Sequence, residues 1–255
     1  MKPLLEVSHV SYSYHTLAGE TPALSDITFT VDSGEFLAIV GPSGCGKSTL
    51  LSLLSGLLTP EQGTIHINNS PISTHQTNIG YMLQKDHLFE WRTVYRNVIL
   101  GLEIQNRKTE ENLAHVEQML RDYGLSAFKN ARPSELSGGM RQRAALIRTL
   151  ALDPSLLLLD EPFSALDYQT RLNVCDDVYQ IIKKEKKTAI LVTHDLSEAI
   201  SMADRIFILS KRPATIQKTV SVHFDPSELL PMKRRHAREF KEYFNEIWKE
   251  LNQNE

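Results

Sequence analysis

Two cysteines, Cys45 and Cys175, are too few for a disulfide framework, and they fit a reducing compartment. Neither charge is in excess. The 28 Lys and Arg residues against 31 Asp and Glu leave a net charge of −3, so no global basic field points to nucleic acid. No apolar run approaches the ~20 residues needed to cross a bilayer. The opening Met1-Lys-Pro-Leu-Leu-Glu-Val-Ser8 lacks an apolar h-region, so no signal peptide is expected. Work at a membrane would therefore be done from its aqueous side. Internal repeats, low-complexity tracts and long heptad runs are also missing. The one concentrated positive stretch, Lys233-Arg-Arg-His-Ala-Arg238, has acidic neighbours and reads as a solvated helix face rather than an anionic-lipid patch.

What is present is a loop, Gly41-Pro-Ser-Gly-Cys-Gly-Lys-Ser-Thr49, matching G-x-x-x-x-G-K-[ST]. Gly41, Pro42, Ser43, Gly44, Cys45 and Gly46 form a backbone able to curl until several N–H groups face one anion. Lys47 adds a cation for β/γ-phosphates and Ser48 a hydroxyl for Mg²⁺. An apolar run of strand length, Glu35–Val40, precedes the loop, and Thr49–Gly56, rich in leucine, follows it as a buried helix. Strand, loop and helix place phosphates at a helix N-terminus, where the dipole favours them. The motif reads as a nucleotide site and leaves open what the nucleotide is used for.

At 255 residues the chain can bury one large core, or a core with an appended subdomain. Residues 4–40 read as β-rich, with Tyr14 either packing an edge strand or stacking on a purine. Strands are expected at Gly63–Asn69 and Asn78–Gln84. The composition then turns helical over 85–150, with helices at Val94–Asn106 and at Glu110–Tyr123 between a Thr109 cap and Gly124. Buried strands follow at Ser155–Asp160 and Thr188–Thr193, a helix at Tyr168–Lys186, a capping box at Asp195–Glu198, a strand at Arg205–Leu209 and a terminal amphipathic helix over 231–255. The alternation predicts a mostly parallel sheet covered on both faces.

Asp160 ends a four-leucine strand, where open α/β sheets place their ligands, and is the expected second Mg²⁺ anchor beside Ser48. Glu161 next to it can activate a water. Leu136-Ser-Gly-Gly-Met140 opens a second exposed helix N-terminus, one more anion cradle than a single phosphate loop needs. These motifs together resemble the ATP-binding-cassette (ABC) ATPases over about residues 4–225.

The resemblance implies a P-loop α/β fold of ABC ATPase type over 4–230. A mostly parallel core sheet would carry an N-terminal antiparallel β subdomain and a helical subdomain (85–150) inserted between Gln84 and the signature. By the same resemblance Tyr14 stacks on adenine, and Gly41–Thr49, ending in Lys47, Ser48 and Thr49, holds the phosphates. Glu161 is similar to the catalytic glutamate, Gln84 to the glutamine that reaches Mg²⁺ and water, and His194 to the switch histidine. Leu136, Ser137, Gly138, Gly139 and Met140 look like the signature that covers ATP in the opposite protomer, and Ser164, Ala165, Leu166 and Asp167 like the D-loop. A twofold head-to-tail dimer holding two ATPs follows, together with a membrane permease and, indirectly, a solute-binding protein, at the cytoplasmic face of the membrane.

Asp86-His-Leu-Phe-Glu-Trp91, Met140 and Glu161–Asp167 resemble the importers for nitrate, sulfonate, taurine and thiamine precursors. Glu90 stands where these often have proline, and Met140 where most cassettes have glutamine. The span from Lys47 to Glu135 is too short for the insertions of DNA-repair relatives, and one cassette is not the pair of ribosome-associated ones. An exporter or lipoprotein-release ATPase stays open beside the importer.

Overall fold

The computed structural model describes residues 3–17, 19–72, 79–225 and 230–252. Asn78, where the strand before Gln84 is expected to start, and 253–255, the expected end of the terminal helix, lie outside them. The chain forms two compact units, Met1–Thr77 with Lys187–Glu255, and Asn78–Lys186.

In the first unit β1 (Leu5–Thr16) and β2 (Gly19–Val31) pair antiparallel from Leu5↔Val31 to Thr16↔Gly19. Leu5, Val7 and Val10 are buried, the half-buried pattern of a sheet with one wet face. β3 (Phe36–Val40) is buried at all five residues and leads into α1 (Lys47–Leu54). β4 (Gln62–Ile67) pairs antiparallel with β1, and the short β5 (Ser70–Pro71) completes a sheet of order β2-β1-β4-β5. This is the antiparallel sheet expected of the N-terminal residues.

The second unit opens with β6 (Ile79–Met82). The helix expected over Val94–Asn106 is two short ones, α2 (Val94–Val98) and α3 (Leu100–Ile104), interrupted at Ile99. The turn there lets Gly101 approach Leu152 so closely that a Cβ would sit 2.9 Å from its side chain. Next comes α4 (Glu110–Asp122), capped by the Thr109 hydroxyl on the Asn112 amide as expected. α5 (Gly138–Leu150) is the hub: α2, α3, α4 and β6 all pack on it. β7 (Leu156–Asp160) runs parallel to β6 from Ile79↔Leu156 to Met82↔Leu159, with all four leucines buried. α6 (Tyr168–Lys184), packed on α5, ends the unit.

The chain then returns to the first unit. β8 (Thr188–Val192) pairs parallel with β3, α7 (Leu196–Met202) packs on β3, and β9 (Arg205–Leu209) pairs parallel with the other edge of β3. β10 (Ile216–Ser221) adds the antiparallel edge. The continuous apolar runs of β3 and β8 are those of parallel strands covered on both faces.

The expected terminal helix is broken into α8 (Pro231–Arg234) and α9 (Arg238–Asn252). Between them the backbone tightens into i→i−3 bonds, Ala237 to Arg234 at 3.1 Å among them. The cause is Arg234, buried, donating to the Ser201 carbonyl at 3.1 Å and lying over the Phe224 ring. The 233–238 stretch is thus not a uniformly solvated face, since Arg234 of α8 packs against α7.

Candidate functional site

The register of the first unit fixes where its motifs meet. Pairing of Ile39 with Val192 and of Val40 with Ile208 sets the loop after β3, His194 after β8 and the hairpin after β9 at one carboxyl edge. Gly46 has φ +123°, and a Cβ there would lie 3.0 Å from the Ala23 carbonyl oxygen, so the tight curl requires glycine. Lys47 is buried, its ammonium donating to the loop's own Gly41 and Pro42 carbonyls at 2.8 and 2.9 Å. Cys45 is also buried, its Sγ 3.9 Å from Lys47 Nζ. Ser43, Gly44 and Ser48 are exposed, whereas Thr49 is buried and within 3.0 Å of the Tyr14 hydroxyl. Tyr14 stands edge-on to Tyr12, ring centroids 5.1 Å apart, and presents 39% of its surface.

Sequence reasoning missed three supports here. Glu61 accepts from the Ser13 amide at 3.2 Å and pairs with His15 Nε2 at 2.6 Å, gripping the strand on both sides of Tyr14. Arg212 donates to the Gly44 carbonyl at 2.8 Å from the hairpin after β9. The capping box at Asp195 closes through a third residue: Asp195 accepts from the Ser197 and Glu198 amides, and its own N–H goes to Thr193 Oγ1, which donates to buried Glu198 at 2.6 Å. This fixes the backbone on either side of exposed His194.

In the second unit the β6–β7 register brings Gln84 and the Asp160–Glu161 pair to a common carboxyl edge. The Tyr81 hydroxyl donates to Asp160 Oδ2 at 3.3 Å. Gln84 Nε2 donates to Ser164 Oγ at 3.1 Å, and Ser164 in turn donates to the Glu161 carbonyl through its hydroxyl (3.0 Å) and amide (3.2 Å). That turn holds Glu161 at φ +45°, a left-handed conformation costing a non-glycine residue about 1 kcal/mol. Asp167 caps α6 through the Thr170 amide at 3.0 Å. The Thr170 bonds hold its carboxyl below the ordinary range. Ala165 is exposed, Leu166 half-buried.

Ser137 caps α5, accepting from the Met140 amide at 3.3 Å, and Ser137 and Gly138 are exposed at that helix's N-terminus. Leu136 and Gly139 are buried; a Cβ on Gly139 would sit 2.9 Å from Val174 of α6.

The segment after Gln84 is tied down by residues to which sequence reasoning gave no role. Arg141 forks onto Asp86, Nε to Oδ2 at 2.9 Å and Nη2 to Oδ1 at 3.1 Å, and reaches Glu90 at 2.8 Å. Burial raises the Asp86 carboxyl, but the Arg141 and Leu88 hydrogen bonds and the charges of Arg141 and Arg148 outweigh it, leaving it below the usual range. Arg148 donates to the Asp86 and His87 carbonyls, and burial lowers its own pKa. Asn97, fully buried, holds the next loop by its amide. No local spacing rule joins positions 55 apart, so only the fold reveals the Arg141–Asp86 pair.

The ABC transporter family model matches residues 24–164. The chain is 48% identical to the ABC transporter ATP-binding protein YtlC of Bacillus subtilis, over 97% of this chain and 95% of YtlC. It is 38% identical to the nitrate import ATP-binding protein NrtD of Synechocystis, over 95% and 93% of the two chains. With the taurine import ATP-binding protein TauB of Pelagibacter ubique it shares 42% identity, over 83% and 80%. Among solved structures, the dimeric post-hydrolysis state of the ATP-binding cassette MJ0796, bound to ADP and Pi, superposes with a TM-score of 0.72 at 29% identity, covering 87% of this chain and all of that one. The chain belongs to the ABC transporter family, as one of its ATP-binding, ATP-hydrolysing cassettes.

Proposed function

We propose that the chain is the energising subunit of a multisubunit importer for a small solute of the nitrate, sulfonate, taurine or thiamine-precursor kind. The observation that carries this reading is likeness to NrtD along nearly the whole chain, seconded by TauB. Two copies pair head to tail, as the dimeric form of the MJ0796 cassette supports, and a separate permease supplies the membrane path. The helical stretch 85–150 is the part of the cassette that faces it, at the cytoplasmic side of the membrane. A groove of about 460 Å³ lined by Gln84, Asp86, Leu88 and Arg141 is the permease's seat.

In this reading Tyr14 stacks on adenine, its ring set by Tyr12 and its hydroxyl by Thr49. The Gly41–Thr49 amides surround the phosphates, and Lys47 exchanges its bonds to the Gly41 and Pro42 carbonyls for phosphate oxygens. Ser48, Asp160 and Gln84 offer a hydroxyl, a carboxylate and an amide oxygen, the hard donor set that fits Mg²⁺. The ion, bound there, would neutralise charge on the β/γ-phosphates. Glu161, presented by its strained turn, takes a proton from the water attacking the γ-phosphorus. Gln84 positions that water, and His194 steadies the γ-phosphate. Leu136–Met140 and Ser164–Asp167 of one copy close over nucleotide held by the other, and loss of the γ-phosphate releases the pair.

Co-purification from detergent-solubilised membranes, followed by solute uptake in proteoliposomes, tests this reading. A multi-spanning partner and ATP-dependent inward transport are expected. ATP-dependent efflux, or a cassette whose full activity needs no membrane partner, would contradict it.

A further inference from the structure

The first turn of α5 carries an oddity. A cation at Arg141 opposes the helix dipole, which makes the N-terminal end positive. Two carboxylates offset it, and both come from the segment that follows Gln84. Asp86, with 20% of its side chain exposed, holds the guanidinium fork by two bonds. Glu90 is 54% exposed and holds it by one. An exposed single ion pair contributes little to folding, so Glu90 is the weak and exchangeable partner.

Glu90 also lies between Phe89 and Trp91, whose rings meet at 4.6 Å and form an exposed aromatic corner, Trp91 presenting 74% of its surface. Asn97 fastens the backbone on both sides of this corner, bonding to Phe89 and to the Arg92 and Thr93 carbonyls. What the backbone leaves adjustable is the side chain of Glu90, and it points at Arg141.

We propose that Arg141 is a positioning residue that couples the N-terminus of α5 to the Phe89–Trp91 corner, with Glu90 as its releasable partner. An anion arriving at Ser137–Gly138 draws on the Arg141 guanidinium and loosens Glu90, which frees the corner to repack. By linkage, a protein seated on the corner changes the affinity of that helix end for nucleotide in equal measure. The inference rests on reading Ser137–Gly139 as a nucleotide-facing segment.

The chain has two tryptophans, so Trp248→Phe, on helix α9 of the first unit, leaves Trp91 as sole reporter. Acrylamide quenching of Trp91 is followed as Mg²⁺ and the non-hydrolysable analogue AMP-PNP are added, with dimer formation read by gel filtration. Nucleotide is expected to change the quenching. Arg141→Gln and, more gently, Glu90→Gln should shrink that change about fivefold or more, with Arg141→Lys recovering part of it. Glu90→Gln removes only the exposed bond, so it keeps the test open if Arg141→Gln unfolds. A full response in Glu90→Gln dimers, or none in the Trp248→Phe dimer, overturns the proposal alone. Nucleotide binding without dimer formation overturns instead the reading of Ser137–Gly139, and the coupling with it.

Discussion

Asn97 offers the sharpest test of how the segment after Gln84 is held. Its side-chain amide accepts from the Phe89 N–H at 2.7 Å and donates to the Phe89, Thr93 and Arg92 carbonyls at 3.0, 3.1 and 3.3 Å. Two N–H groups serve three acceptors, so about three net bonds are at stake, each worth about 1 kcal/mol. Asn97→Ala should cost about 2–3 kcal/mol, since the exposed edge of the loop recovers some of its bonds from water. The chain forms two compact units, so a single melting midpoint would blur the effect. Native-state exchange of the Phe89 amide reads it locally, and protection should fall about 30- to 150-fold. Asn97→Asp separates the roles. The new carboxylate keeps the Phe89 N–H but faces three carbonyls, so at pH 7 the substitution should be at least as harmful as Asn97→Ala. Burial among carbonyls raises the pKa of that carboxyl in the folded state. Its penalty should therefore shrink as pH falls, when protonation restores a donor. Phe89 exchange within threefold of natural in Asn97→Ala, or Asn97→Asp the more stable of the two at pH 7, would refute the reasoning.

Three further outcomes are expected. Lys47→Ala should weaken ATP binding about 10- to 100-fold, the worth of a charge-assisted bond, in a fluorescent-nucleotide titration; affinity within twofold of natural would count against the cradle. Cys45 is buried, so maleimide should label it in the folded chain at least about a hundredfold more slowly than in urea; rapid native labelling, read by mass, would place the thiol at the surface. The Asp86 carboxyl has a depressed pKa, so its contribution is fully present above the ordinary carboxylate value of about 3.9 and lost as pH falls through its lower folded pKa. Phe89 protection should therefore not change between pH 6 and 8 on account of this pair, and in Asp86→Asn it should be weaker throughout that range.

The parts legible in the sequence are those whose physics is local. The loop, the buried runs of β3, β7 and β8, the Thr109 cap and the helix start after Ser137 each follow from spacing and residue type over a few positions. Helix continuity was not legible at Ile99 or Arg235, where packing of Gly101 on Leu152 and of Arg234 on Ser201 outweighs periodicity. Nor were the supports of the site. Glu61 beside Tyr14, Arg212 on Gly44, and Arg141 between Asp86 and Glu90 join positions far apart in the chain, and no window of sequence contains both partners. The strained φ of Glu161 was equally hidden, because glutamate carries no turn signal and the Ser164 bonds impose the conformation.

The central claim is that Glu161 serves as base at a nucleotide completed by a second copy. Glu161→Gln keeps the size and the turn but removes the proton acceptor. With Mg²⁺ and ATP the variant should form a stable dimer on gel filtration, retaining ATP, with turnover reduced about 10²- to 10⁴-fold. Brisk hydrolysis by Glu161→Gln, or a monomer at saturating ATP, would contradict the account.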